Sequence, residues 1–203
     1  PYRDMAGSGA HIHVSLLDAA GRNVFASEAP TGTGPLRQAA AGLLATMGDA
    51  MALFGPNANS YRRLRPESYV PMHATWGVNN RGVAVRVPVS GAADRRLEHR
   101  VAAADANPSL LATAVLGGRL LGLERGREAP PPLAGNAYHQ PLEAEALPND
   151  WREAILRFES SAAMRELFGE RFVALYATLK RGEWEDFAAH VSPLEHAWYL
   201  AQL

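Results

Sequence analysis

The sequence predicts an α+β fold, and three observations predict it. Four short stretches alternate polar and apolar residues with period two, around residues 11–16, 70–78, 83–87 and 96–101. Longer runs carry apolar residues every three to four positions, first after Pro35 and again after Pro108. The chain after Asp150 continues in helical periodicity with no further strand signal. At 203 residues there is enough chain for one sizeable core, or one domain with an appendage, and no internal repeat is evident.

The first strand puts His11, His13 and Ser15 on one face and Ile12, Val14 and Leu16 on the other. Gly7 and Gly9 before it let backbone pass close to a ligand. Asp18-Ala19-Ala20-Gly21-Arg22-Asn23 reads as a turn, returning through Val24 and Phe25. Pro35 suits a helix start, and one helix is predicted from there to Phe54, closed by Gly55-Pro56. A loop over 59–65 leads to a strand over 70–78, with Pro71 near its start. Asn79-Asn80-Arg81-Gly82 is a turn, and the next strand buries Val83, Val85 and Val87 and leaves Arg86 on its other face. The strand after it sets Leu97, His99 and Val101 against Arg96, Glu98 and Arg100.

Asn107 caps a helix with Pro108 in its first turn, and Gly117-Gly118 marks a close helix contact. Residues 128–148 are proline-rich and aperiodic, a long surface loop of the kind that often forms a lid or binding segment. Asp150 and Glu153 start a helix holding Trp151, Ile155 and Phe158. The aromatic residues of the later helices, Phe168, Phe172, Tyr176, Trp184, Phe187 and Trp198 among them, are expected to pack.

Composition narrows the function classes. Twenty basic and 21 acidic side chains nearly cancel, which argues against nucleic acid or an anionic membrane as the main partner. No apolar run is long enough to span a bilayer and no signal peptide is visible. With no cysteine, disulfides and thiolate metal sites are excluded, and a cytoplasmic location is the modest expectation. Lys180 is the only lysine, so cationic work inside a site falls to arginine, which grips carboxylates and phosphates bidentately.

His-x-His alone is equally a half-exposed strand with wet histidines. Glu98 between Arg96 and Arg100 could likewise be a solvated ion-pair strand worth roughly 0–1 kcal/mol per pair. The series of motifs is more specific. Gly7-Ser8-Gly9-Ala10-His11-Ile12-His13-Val14-Ser15-Leu16, Asn59-Ser60-Tyr61-Arg62-Arg63-Leu64, Asn80-Arg81 with Arg86 and Pro88, Arg95-Arg96-Leu97-Glu98-His99-Arg100, and Ala106-Asn107-Pro108 follow one another in order. Together they resemble the catalytic domain of the glutamine synthetase superfamily, as far as about Leu123; the later helices fit more loosely.

The resemblance implies an antiparallel curved sheet backed by helices, with a helical C-terminal part. It also implies that residues 1–203 are the C-terminal portion of a domain whose first part, with an N-terminal β-grasp domain, lies outside this chain. The implied activity is ATP-dependent ligation of an amine to the γ-carboxyl group of glutamate through a γ-glutamyl phosphate, with Mg²⁺ or Mn²⁺ as cofactor. His11 and Glu98 would ligate the metal. His13, Ser15, Arg81, Arg86 and Arg96 would meet the nucleotide, and Gly7, Arg63 and Arg100 the substrate amino acid. Arg81 and Arg100 would act on charge developing as phosphoryl transfers. Arg62, Arg65 and Arg95 are assigned to solvated surface, and His73, His139, His190 and His196 stand alone. A homo-oligomeric ring is implied for the parent protein, as is inactivity of the isolated chain.

Two departures from the family pattern bear on function. The stretch from Arg86 to Glu98 is one residue short, and Ala92-Ala93-Asp94 offers no lysine on the nucleotide side. Tyr69 stands where glutamine synthetases carry the glutamate that helps bind ammonium. A phenol, neutral at ordinary pH, offers an aromatic face better suited to an alkyl amine or its ammonium group. This departure, and Gly135-Asn136-Ala137-Tyr138, look like the γ-glutamyl-polyamine and γ-glutamyl-monoamine ligases. Ammonium-using glutamine synthetase is the alternative, with a non-catalytic relative that binds or assembles as the other. A zinc hydrolase built on His11 and His13 lacks a convincing set of further ligands.

Overall fold

A computed structural model describes residues 5, 7–139 and 143–200. Four short strands form one sheet in the order β1-β4-β3-β2: β1 (Ile12–Val14), β2 (Trp76–Val78), β3 (Val85–Val87) and β4 (Leu97–His99). Among the described residues, helices α1 (Gly34–Met47), α2 (Met51–Phe54), α3 (Ala58–Tyr61), α4 (Pro108–Glu124), α5 (Trp151–Ser160), α6 (Ala162–Phe168), α7 (Glu170–Ala189) and α8 (Pro193–Tyr199) accompany it. The α+β class read from the sequence holds.

β4 sits between β1 and β3 and is antiparallel to both. β2 and β3 are parallel, so the expected antiparallel order fails at that pair. The Asn79–Gly82 turn does not fold β3 straight back on β2. Asn79 takes a positive φ of 49°, and its amide donates to Val87 O across the pair. The strand expected over 70–78 is shorter for a related reason. Its first half leaves the sheet and pairs with the loop before α5, through Ala74 N to Glu145 O and Leu147 N to Met72 O, both 2.9 Å. Pro71 brings no amide donor to that half.

The helix predicted over 35–54 bends at Gly48-Asp49-Ala50 into α1 and α2. The Asp49 carboxylate accepts from Ser161 Oγ at 2.7 Å and pairs with Arg157, so a distant helix pair sets the bend. The Asn59–Leu64 motif, read as a loop, begins in the single turn of α3, capped by Asn57.

α1 and α4 cross at glycines. A Cβ built on Gly42 would lie 2.1 Å from Gly118 O, and one on Gly122 would lie 2.1 Å from Gln38 O. This is the close approach that Gly117-Gly118 announces. The core beneath it holds Phe25, Leu36, Met47, Leu53, Trp76, Val85 and Leu97, all at most 1% exposed. Behind it Phe158, Phe168, Phe172 and Tyr176 stack in a chain of rings 5.2–6.4 Å apart. The expectation that the late aromatics pack fails further out, where Phe187 and Trp198 are more than half exposed.

Two phenols, buried Tyr61 and half-buried Tyr176, fasten helices to α2: Tyr61 Oη donates to Met51 O at 3.1 Å, and Tyr176 Oη to Ala52 O at 3.0 Å. Burial pushes the Tyr61 hydroxyl far above the ordinary tyrosine range, helped by the fields of Tyr176, Asp150 and Glu153.

Gly42→Ala should destabilise the protein by about 1–3 kcal/mol, because the new methyl meets backbone that cannot rotate away. Gly34→Ala at the start of α1, where the nearest foreign atom is 4.0 Å from the new Cβ, should stay within about 0.5 kcal/mol; urea unfolding of both variants checks this. Tyr61 stays neutral in the fold while the unfolded side chain ionises above about pH 10, so its contribution is full below that pH and falls as pH rises. Tyr61→Phe should therefore cost about 1 kcal/mol at pH 8, and the two unfolding curves should converge by about pH 11, where the phenol's liability has grown to a similar size.

Candidate active site

The sheet register lines up the chemistry. Glu98 on central β4 stands opposite His13 on β1 and opposite Arg86 on β3, so one row crosses three strands. Side chains two residues along share that face, which adds His11 and Arg100. The partners close on one carboxylate. Arg86 Nη1 donates to Glu98 Oε2 at 2.8 Å and Arg100 Nη1 to Oε1 at 3.0 Å. His11 Nδ1 is 3.1 Å and His13 Nε2 3.8 Å from Oε1.

Glu98 is 3% exposed, so it is no solvated surface pair. Burial alone would raise its pKa. The Arg86 hydrogen bond, with the charges of Arg100, Arg86 and His11, outweighs this and holds the carboxyl below its ordinary value. For His11, burial and the positive field of Arg100 pull the pKa down against the opposing pull of Glu98. The imidazole is thereby kept neutral at pH 7, the form that can ligate a metal. Arg96 Nε donates to His13 Nδ1 at 3.2 Å, which places the His13 ring proton on Nε2, toward Glu98.

The other residues named from the sequence spread around this cluster. The Arg81 side chain is exposed, while its carbonyl accepts from Arg100 Nη2 at 3.0 Å. Arg63 lies under the glycine-rich strand: its Nη1 donates to Val101 O at 2.7 Å. A Cβ on Gly7 would come 3.0 Å from Arg63 Cβ, and one on Gly9 2.8 Å from Arg63 Nη2. These glycines make room for arginine. Ser15 is exposed beyond the end of β1, and Tyr69 is 74% exposed with a positive φ of 57°. Neither touches the Glu98 cluster.

Three residues have roles that sequence reasoning missed. Asn79, read only as a turn residue, accepts from Arg86 Nη2 at 2.8 Å through Oδ1 and so aims that guanidinium. Arg95, assigned to surface, is 7% exposed and donates to the carbonyls of Ser27 and Ser90 at 3.1 and 3.2 Å, tying the hairpin return to the segment before β4. His99 is 1% exposed, its ring centroid 4.4 Å from that of Phe54, and burial drives its pKa down to about 3. Period-two alternation had put His99 on the apolar face, which was the available signal. His139 does not stand alone either: its Nε2 is 2.8 Å from Glu67 Oε1. Arg62 and Arg65 are exposed, as assigned.

His11 and Glu98 fit part of a hard divalent cation's needs, one neutral imidazole and one ionised carboxylate converging on Glu98 Oε1. Such a cation takes about six donors, and no cluster of three or more His, Cys, Asp or Glu suited to a metal exists among the described residues. The pair is a partial donor set, and the same finding leaves a zinc-hydrolase triad without support.

Replacing Glu98 leaves Arg86 and Arg100 facing one another without a counter-charge. Glu98→Gln should lower unfolding free energy by about 3 kcal/mol. Arg96→Ala, which removes only exposed contacts to the His13 ring and to Asp94 O, should cost less than about 1 kcal/mol. Denaturant unfolding of the two variants side by side measures the contrast.

Comparison with known proteins agrees with this geometry. Residues 1–199 match the family described as glutamine synthetase, catalytic domain. Gamma-glutamylputrescine synthetase PuuA of Escherichia coli K12 is 39% identical over 98% of this chain and 42% of its own length. Gamma-glutamylethanolamide synthetase GlnA4 of Streptomyces coelicolor is 36% identical over 96% of this chain and 41% of its own. Glutamine synthetases of bacteria and archaea also match, at 27–31% identity. Among solved structures, the GmaS/ADP complex superposes with a TM-score of 0.87 at 30% identity, over 98% of this chain and 47% of that one. The chain thus spans less than half the length of these relatives, and among its described residues no helix is long and apolar enough to cross a membrane. On a match that takes in residues 1–199, the chain belongs to the glutamine synthetase catalytic-domain family.

Proposed function

We propose that residues 1–203 are the C-terminal portion of a glutamine synthetase-type catalytic domain in a longer protein. That protein is an ATP-dependent ligase joining the γ-carboxyl group of glutamate to an organic amine. The observation that carries this reading is the convergence of His11 and Glu98 within a set of guanidinium groups. His11 and Glu98 hold Mg²⁺ or Mn²⁺, which neutralises phosphate charge when bound. The remaining carboxylate ligands come from outside this chain.

In this reading each arginine has a task that its position supports. Arg86 and Arg96 flank the histidine pair and meet the nucleotide with His13 and Ser15. Exposed Arg81 reaches the transferring phosphoryl group, and its carbonyl steadies Arg100. Arg100 and Arg63 hold the glutamate carboxylates, and Gly7 presents backbone to its amino group. Fixed cations act where charge develops, and they need little rearrangement during reaction. The acceptor is an amine because Tyr69 replaces a carboxylate, and because two relatives are named as synthetases of gamma-glutamylputrescine and gamma-glutamylethanolamide. Ammonium is the second reading, favoured by the glutamine synthetases among the relatives. The parent works as a cytoplasmic homo-oligomeric ring, and the isolated chain is inactive.

Coupled ADP release by the full-length protein, with glutamate and a panel of amines, tests this. Organic amines should support turnover at least about tenfold above ammonium at equal concentration, a difference of about 1.4 kcal/mol in barrier. Turnover with ammonium alone would establish the second reading.

A further inference from the structure

A cavity of about 280 Å³ opens beside the site, walled by Pro66, Met72, Ala137 and the Tyr138 ring, with Thr75 and His73 as its polar members. Its walls come mainly from two segments. One follows the Asn59–Leu64 motif and includes Tyr69; the other is the loop after α4, held over the first by Tyr138 Oη donating to Val70 O at 2.7 Å. The hydrogen bonds from Asn80 Nδ2 to Leu133 O and Gly135 O, 3.1 and 2.9 Å, fix the same loop from below. Gly82 also lines the cavity, and it follows Arg81, whose carbonyl binds Arg100. Burial raises the Tyr138 hydroxyl's pKa, helped by the charge of Glu67, against the lowering effect of its hydrogen bonds to Ser68 and Val70 and of the Arg100 charge.

We infer that this cavity receives the carbon chain of the acceptor amine, and that the far end of that chain is uncharged, an alkyl or hydroxyalkyl group. The inference rests on the amine-ligase reading and narrows it. The walls are mostly apolar, and the Thr75 hydroxyl and the His73 ring can meet a hydroxyl. No carboxylate lines the cavity among the described residues. The nearest in sequence, Glu67, is engaged with His139 at 2.8 Å. A second ammonium group would give up part of its water there with no carboxylate in the walls to replace it, which disfavours it. Each methylene that enters should gain about fourfold in affinity, the equivalent of about 0.8 kcal/mol.

The test uses the full-length protein and the probes propylamine, ethanolamine, hexylamine and putrescine. Propylamine and ethanolamine should give kcat/KM values at least about tenfold above putrescine. Ala137→Leu, which fills the cavity, should raise the KM for propylamine about tenfold and that for glutamate less than about twofold. Met72→Ala, which enlarges it, should move preference toward hexylamine; loss of folding cannot shift preference in opposite directions in the two variants. Calorimetric binding of propylamine is measured alongside. Turnover with ammonium alone would refute the amine-ligase reading. The cavity assignment would still stand if propylamine binding is present and is lost in Ala137→Leu, and would fall with that reading if no binding is seen. Propylamine turnover unchanged in both variants, or putrescine preferred, would overturn the assignment and leave the ligase reading intact.

Discussion

A single buried carboxylate organises this part of the molecule. Glu98 is ionised in a place where burial opposes ionisation, and it stays so because the Arg86 and Arg100 guanidinium groups pair with it. The reverse dependence is as strong. Arg100 is 6% exposed, and without Glu98 it would be a buried cation with only a carbonyl partner. The central position of β4 follows from this: only a strand with neighbours on both sides can be approached by histidines from one and an arginine from the other.

The sheet face was legible because alternation is a local property. His11, His13 and Glu98 were assigned to polar faces from period two, and the register then brought those faces together. The sequence could not show how far that face is buried. By residue type Glu98 could equally be a solvated ion pair, and burial depends on what closes over it. Arg95 illustrates the same limit, since its partners at Ser27 and Ser90 belong to other segments. The strand over 70–78 was overextended for a different reason. Its first half does form pairs, but with residues near 145, which no window of local pattern can see.

The loop over 128–148 joins these themes. Composition marked it as aperiodic, as its described residues 128–139 and 143–148 are, yet it is fastened along β2. Trp76 Nε1 donates to Pro130 O, and Leu133 N to Trp76 O, at 2.6 and 2.7 Å. Prolines suit this task, because a chain that already lacks amide donors leaves fewer of them unsatisfied when it lies flat on a sheet edge. The loop supplies one wall of the cavity while the sheet supplies the face that carries Glu98. Selection on one wall can therefore proceed with little effect on the other.

The cations around Glu98 are all arginines, and the chain's one lysine sits on α7, bound to Glu183. A protonated guanidinium has no electron pair to offer, whereas a lysine amine that sheds its proton is itself a nucleophile. An electrophile held on such a face would find no lysine of this chain beside it.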